Sequence, residues 1–221
     1  MANNNKLETT ISELVGDLKN PSATKDWTTL YWFSWISCFS LFALLTYLAS
    51  AAVPNDIHLP QNLGSVSFWF ENTLWFALAL LSARVGFLSA YPTEQLNRTL
   101  KTTYAMLALL AVVLLLKETP SALANEFSEE MHFERGPCGS FILINGLVLT
   151  LGMFAILKRA APTRLKFTGL WVAVSVGALG SMFMHLVCTH ESGAHEIIWH
   201  VLPLLMLVGI VSSSSQRLLR W

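Results

Sequence analysis

The chain has 221 residues, of which 53% are hydrophobic and 13% charged, with a mean hydropathy of +0.51. Soluble domains carry about 25% charged residues, so this composition excludes an ordinary water-soluble globule and points to a surface that faces lipid. Basic and acidic residues number 14 each and cancel, so no bulk charge argues for direct nucleic-acid binding or for an acidic ligand.

Residues 1–30 are hydrophilic. They contain no short apolar core followed by a small-residue cleavage site, so the first span is expected to serve as the insertion signal. Within them, Thr10-Ile11-Ser12-Glu13 has the form of a capping box. Leu7, Ile11, Leu14, Val15 and Leu18 then repeat at i, i+4, i+7, i+8 and i+11, the spacing of one helical face, until Asn20-Pro21 ends the pattern. A helix this short is marginal in water and needs somewhere to bury its stripe. The membrane surface and the bundle offer one place. A hydrophobic groove on a soluble partner offers the other, and the acids Glu13 and Asp17 weigh against the membrane, where such helices favour Lys and Arg.

Six apolar segments follow. The first span is predicted over Leu30–Ala52 and the second over Val66–Ala90, separated by a loop containing Pro54 and Pro60. The third runs over Thr99–Lys117, whose terminal Lys can snorkel to the interface. A long acidic loop, Glu118–Gly139, leads to the fourth span at Ser140–Leu157. The basic loop Lys158–Lys166 leads to the fifth at Phe167–Cys188. A short loop, Thr189–Glu196, precedes the sixth at Ile197–Ser213. Spans of about 20 residues use nearly the whole chain. The predicted fold is therefore all-α: a polytopic six-transmembrane-helix bundle over 30–221, preceded by a cytoplasmic segment over 1–29 that carries the short amphipathic helix.

Charge fixes the predicted orientation. With the N-terminus inside, only Lys117 and Arg135 of the 14 basic residues fall outside. Basic loops resist translocation, so both termini are predicted to be cytoplasmic. Tyr31, Trp32, Trp69 and Tyr91 lie near span ends, as interfacial aromatics do. In the fifth span, Ala173, Gly177 and Ser181 recur every four residues with Gly180 beside them, a spacing that lets helix backbones approach closely.

The same orientation collects His58, His132, His185, His190, His195 and His200 on the outer side, together with Cys138 and Cys188. Sequential antiparallel spans are usually neighbours, so the two cysteines should be near one another. A structural disulfide, a reversible thiol sensor and a pair of inert thiols all remain open on the sequence. His185, Cys188, His190, His195 and His200 are candidate metal ligands, since thiolate and imidazole suit soft or borderline ions. The five-residue recurrence of the last four histidines does not form one face of an α-helix. Cys38, inside the first span, reads as an apolar filler. Glu71 and Arg84 lie toward opposite ends of the second span and are expected to reach the interface. No GxSxG, HExxH or P-loop is present, so no enzyme is predicted and no cofactor is implied.

One family resemblance stands out. Leu14-Val15-Gly16-Asp17-Leu18, Pro137-Cys138, the turn Arg159-Ala160-Ala161-Pro162-Thr163, and Gly169, Gly177 and Gly180 carry it, with Cys188, Trp199-His200 and the closing Arg217-Leu218-Leu219-Arg220-Trp221. Together they resemble the NrsF-like membrane proteins. The resemblance implies an inner-membrane anti-sigma factor that holds an extracytoplasmic-function, sigma-F-like sigma factor inactive. It further implies that Cys138 and Cys188 sense oxidant or heavy-metal stress. The apolar stripe of residues 7–18 is then the candidate sigma-docking surface. The acidic outer loop and the serine run Ser212–Ser215 match nothing in that pattern. The alternative function is a membrane oxidoreductase or metal-handling protein built on the outer Cys and His residues.

Overall fold

The computed structural model describes residues 21–52, 64–89, 95–116, 137–159, 162, 164–188 and 192–220. The stripe formed by Leu7, Ile11, Leu14, Val15 and Leu18 lies outside the described residues, as do His58, His132 and His190. The described chain is helical: α1 (Pro21–Ala52), α2 (Val66–Leu88), α3 (Gln95–Leu116), α4 (Pro137–Arg159), α5 (Leu165–Val187), the short α6 (Gly193–Glu196), a π-turn (Ile197–Val201) and α7 (Leu202–Leu218). Six segments among them are long and apolar enough to cross a membrane: Thr28–Leu48, Val66–Leu88, Leu96–Leu116, Cys138–Lys158, Leu165–Val187 and Gly193–Leu218. Helices of this length satisfy their own backbone groups, which hydrocarbon requires.

Several boundaries differ from the sequence reading, and two of the differences have a clear local cause. Helix α1 begins at Pro21 rather than at Leu30; a proline is tolerated in the first turn because its missing N–H would have no partner there. The sixth span begins at Gly193, so His195 and Glu196 are helical rather than part of a loop. Ser192 supplies the reason, its hydroxyl accepting the His195 backbone N–H at 3.1 Å and capping the helix start.

Helix α5 is the centre of the bundle. Almost every residue from Thr168 to His185 is buried, and α1, α2, α4 and α7 all pack on it. Its small residues permit this. An added Cβ on Gly177 would come 2.9 Å from Leu204 Cγ, and one on Gly169 only 2.4 Å from Ser215 Cβ. The serine run that fitted no expected pattern thus includes the residue that seats α7 against α5. Exposed apolar side chains such as Phe33, Ile36, Leu44, Leu115, Ile144 and Leu205 cover the outside, as a lipid-facing surface demands.

Cross-contacts show how the helices run. Asn72 meets His185 at one end of the α2–α5 pair, and Ser89 meets Thr168 at the other. Ser181 reaches His200, and Gly169 touches Ser215. The starts of α2 and α4, the end of α5 and the segment from Ser192 to Val201 therefore gather at one end of the bundle. Arg84, Arg98, Lys158, Arg164, Lys166 and Arg217 lie toward the opposite end.

Candidate functional site: a buried thiol–imidazole cluster

The end opposite the basic residues holds two adjoining buried groups of ligand-type side chains. The first comprises Cys138, Cys188, His195 and His200, whose sulfur and ring-nitrogen atoms all lie within 4.8 Å of one another. Cys138 comes from the first turn of α4. Cys188 caps the C-terminus of α5, with its backbone already extended (φ −75°, ψ 129°), so that the chain turns toward α6. The Cys138 thiol contacts Cys188 Sγ at 3.7 Å, and Cys188 Sγ contacts His195 Nε2 at 3.2 Å. Ile142, Met184, Phe141 and Trp199 wall the pair. The contact with Cys138 holds Cys188 below the ordinary thiol range, assisted by His195 and His200, while burial acts in the opposite direction.

His200 reaches the cluster because of the π-turn. Five residues along an α-helix rotate a side chain about 140° away from its starting direction. With i→i+5 bonding a turn takes about 4.4 residues, so the same step brings it back to within roughly 50°. The Leu202 backbone N–H donates to the Ile197 carbonyl, five residues back. Ser181 Oγ donates to the His200 carbonyl at 3.5 Å, tying the turn to α5. The five-residue recurrence that an α-helix cannot use is thus accommodated for His195 and His200 by one wide turn.

The second group comprises Glu71, His185 and Glu196. His185 Nε2 lies 3.4 Å from Glu71 Oε2. Asn72 Nδ2 donates to the Phe68 carbonyl at 3.1 Å and lies 2.9 Å from His185 Nδ1. With the amide donating there, the ring is the Nε2–H tautomer and points its proton at Glu71. Trp75 Nε1 donates to Glu196 Oε1 at 3.1 Å, and Phe68 stacks on the His185 ring.

Several sequence expectations change here. Of the candidate ligands, Cys188, His195 and His200 come together with Cys138, whereas His185 enters the second group. Glu71 does not extend outward from the bundle; it is 6% exposed and faces His185. Glu71 and Glu196 were not singled out as site residues. For Glu71 the available signal is an acid within a predicted span, which is costly in lipid unless buried among partners; Glu196, at the end of a predicted loop, carries no such signal. Cys38 lies in the apolar core of the bundle, as expected of a filler.

A family model described as NrsF, negative regulator of sigma F, matches residues 14–221. The chain belongs to this family. Comparison with curated proteins and with solved structures gives no match. The match takes in both groups of site residues and every described helix; of the N-terminal stripe it includes Leu14, Val15 and Leu18 but not Leu7 or Ile11. Family membership and six long apolar helices together make this a polytopic inner-membrane protein of a regulatory family.

Proposed function

We propose that this chain is a membrane-bound anti-sigma factor, with both termini in the cytoplasm, that holds an extracytoplasmic-function sigma factor of the sigma-F kind and releases it when Cys138 and Cys188 meet an oxidant or a heavy metal outside. The observation that carries the reading is the family match joined to two thiols in contact, 3.7 Å apart, at the end of the bundle remote from its basic residues. The positive-inside tendency supports assigning that basic end to the cytoplasm. The thiol end then faces the periplasm, where oxidants are tolerated and disulfides persist.

Residues 1–29 form the cytoplasmic segment in this reading, and 30–221 the membrane domain. The stripe of Leu7, Ile11, Leu14, Val15 and Leu18 docks in a groove of the sigma factor, a common way for an amphipathic helix to bind. Chemistry at Cys138 and Cys188 repacks α4 against α5, and α5 touches most of the bundle. Swinging the sigma factor from 99% bound to 99% free requires the two states to differ in affinity by about 10⁴-fold. The reading is tested by replacing Leu14 and Leu18 with Asp and following a sigma-dependent reporter. Constitutive expression is expected, and persistent repression at normal protein levels would refute the docking role.

A second reading, a membrane oxidoreductase or metal-handling protein, draws on the two buried ligand groups. It differs in outcome: a redox enzyme turns over substrate in the absence of any sigma factor, whereas a regulator does not.

A further inference from the structure

His200 presents an unusual state. Its ring is 1% exposed, and neither Nδ1 nor Nε2 closes a hydrogen bond of ordinary geometry, although the ring stands near enough to Cys188 to favour its thiolate. A neutral imidazole always carries one N–H and one lone pair, and buried polar atoms are rarely left with neither satisfied. The atoms around it are two sulfurs and a second imidazole nitrogen, all within 4.8 Å.

Two of those spacings are close to the ones a tetrahedral metal shell imposes. With Zn–S of about 2.3 Å and Zn–N of about 2.05 Å, tetrahedral geometry separates two sulfurs by about 3.8 Å and a sulfur from a nitrogen by about 3.6 Å. The sulfurs of Cys138 and Cys188 are 3.7 Å apart, and Cys188 Sγ is 3.2 Å from His195 Nε2. The neighbouring group is built differently. There the His185 ring already meets Asn72 at Nδ1 and Glu71 at Nε2.

We propose that Cys138, Cys188, His195 and His200 are the four ligands of a resident divalent metal of the zinc class, with His200 completing the shell. Two thiolates and two imidazoles select a soft or borderline ion over magnesium or calcium. The ligands come from α4, the end of α5 and the continuous α6–π-turn segment, so the ion joins three separate pieces of chain at one end of the bundle. Closing the shell requires the His200 ring to move inward, from within 4.8 Å of the sulfurs to about 3.6 Å. This deepens the sensor reading by stating what the resting thiols hold. Metal binding is measured with no sigma factor present, however, so failure of either idea leaves the other standing.

The test uses the full chain in mild detergent under reducing conditions, stripped with a chelator and titrated with Co²⁺. Uptake of about one ion per chain is expected, with thiolate-to-cobalt charge-transfer absorption that Zn²⁺ then displaces. C138S should cut that absorption by at least about half, one of the two thiolates being lost, and H200A should weaken binding by about tenfold or more. H185Q, which alters the neighbouring group, should leave it unchanged. Size-exclusion and circular dichroism establish that each variant is folded. Should H200A fail to fold, Zn²⁺ protection of Cys138 and Cys188 from alkylation in the unmodified protein, with Cys38 as the internal reference, reports the same site. Folded protein that takes up no Co²⁺, absorption unaltered in folded H200A, loss of binding in H185Q alone, or thiols that Zn²⁺ does not protect would each overturn the proposal.

Discussion

Cys188 sits one residue beyond α5, where the chain turns out of the helix, and that position gives its sulfur both Cys138 and His195 as neighbours. Elsewhere the single residues that matter most are those that satisfy polar groups inside the bundle. Trp35 Nε1 donates to Ser175 Oγ at 3.0 Å, and Ser175 Oγ in turn donates to the Ala79 carbonyl at 2.9 Å, so one serine links α1, α5 and α2. Ser175→Ala should therefore destabilise the protein by about 1 kcal/mol, the scale of a hydrogen bond between membrane helices. Thermal unfolding in detergent measures the loss. Trp35→Phe in the Ser175→Ala background should cost little more, because the indole N–H would already lack its acceptor.

At the scale of elements, the close approach of α5 to α7 depends on residues without side chains. A Cβ at Gly169 would meet Ser215 Cβ, an atom held by its own backbone, so the helices themselves must move. Gly169→Ala should cost about 1–3 kcal/mol, the usual penalty of overpacking. Gly209→Ala has nothing within 4 Å of the added carbon and should be neutral or slightly stabilising, since alanine favours the helix by about 1 kcal/mol. Comparing the two melting temperatures in one detergent tests whether packing or helix propensity governs this pair.

The six spans were legible because lipid imposes a long apolar run on every one of them. Cys138 and Cys188 were legible as neighbours because consecutive antiparallel helices place the end of one beside the start of the other. The π-turn was not, since hydropathy responds to composition and not to one residue more per turn. Sequence polarity places His195 in a loop because its surroundings, Glu191-Ser192-Gly193, are polar, although Ser192 is polar as a helix cap. Glu71 was misplaced for a related reason: a charge near a span end reads as interfacial until a partner from another helix, His185, is seen against it.

For the whole molecule, the argument concerns two ends. Basic residues gather at one and thiols and imidazoles at the other, with α5 running between them in contact with four other long helices. In the proposed mechanism an ion or a disulfide formed at the thiol end would change how α4, α5 and the α6–α7 segment meet, and the packed helices give that change a route to the other end. Impermeant labelling of intact cells should modify a cysteine placed in the outer loop near residue 128 and leave one placed at residue 10 untouched; equal labelling would put both on one side and remove the basis for transmembrane signalling. The most direct test of the central claim is purification of the tagged chain in mild detergent with its sigma factor, before and after exposure to Cd²⁺ or diamide. The sigma factor should co-purify with the unmodified chain, dissociate on exposure, and stay bound to the C138S/C188S variant under the same treatment. A chain that captures no sigma factor, or a double variant that releases it as readily as the original, would contradict the account.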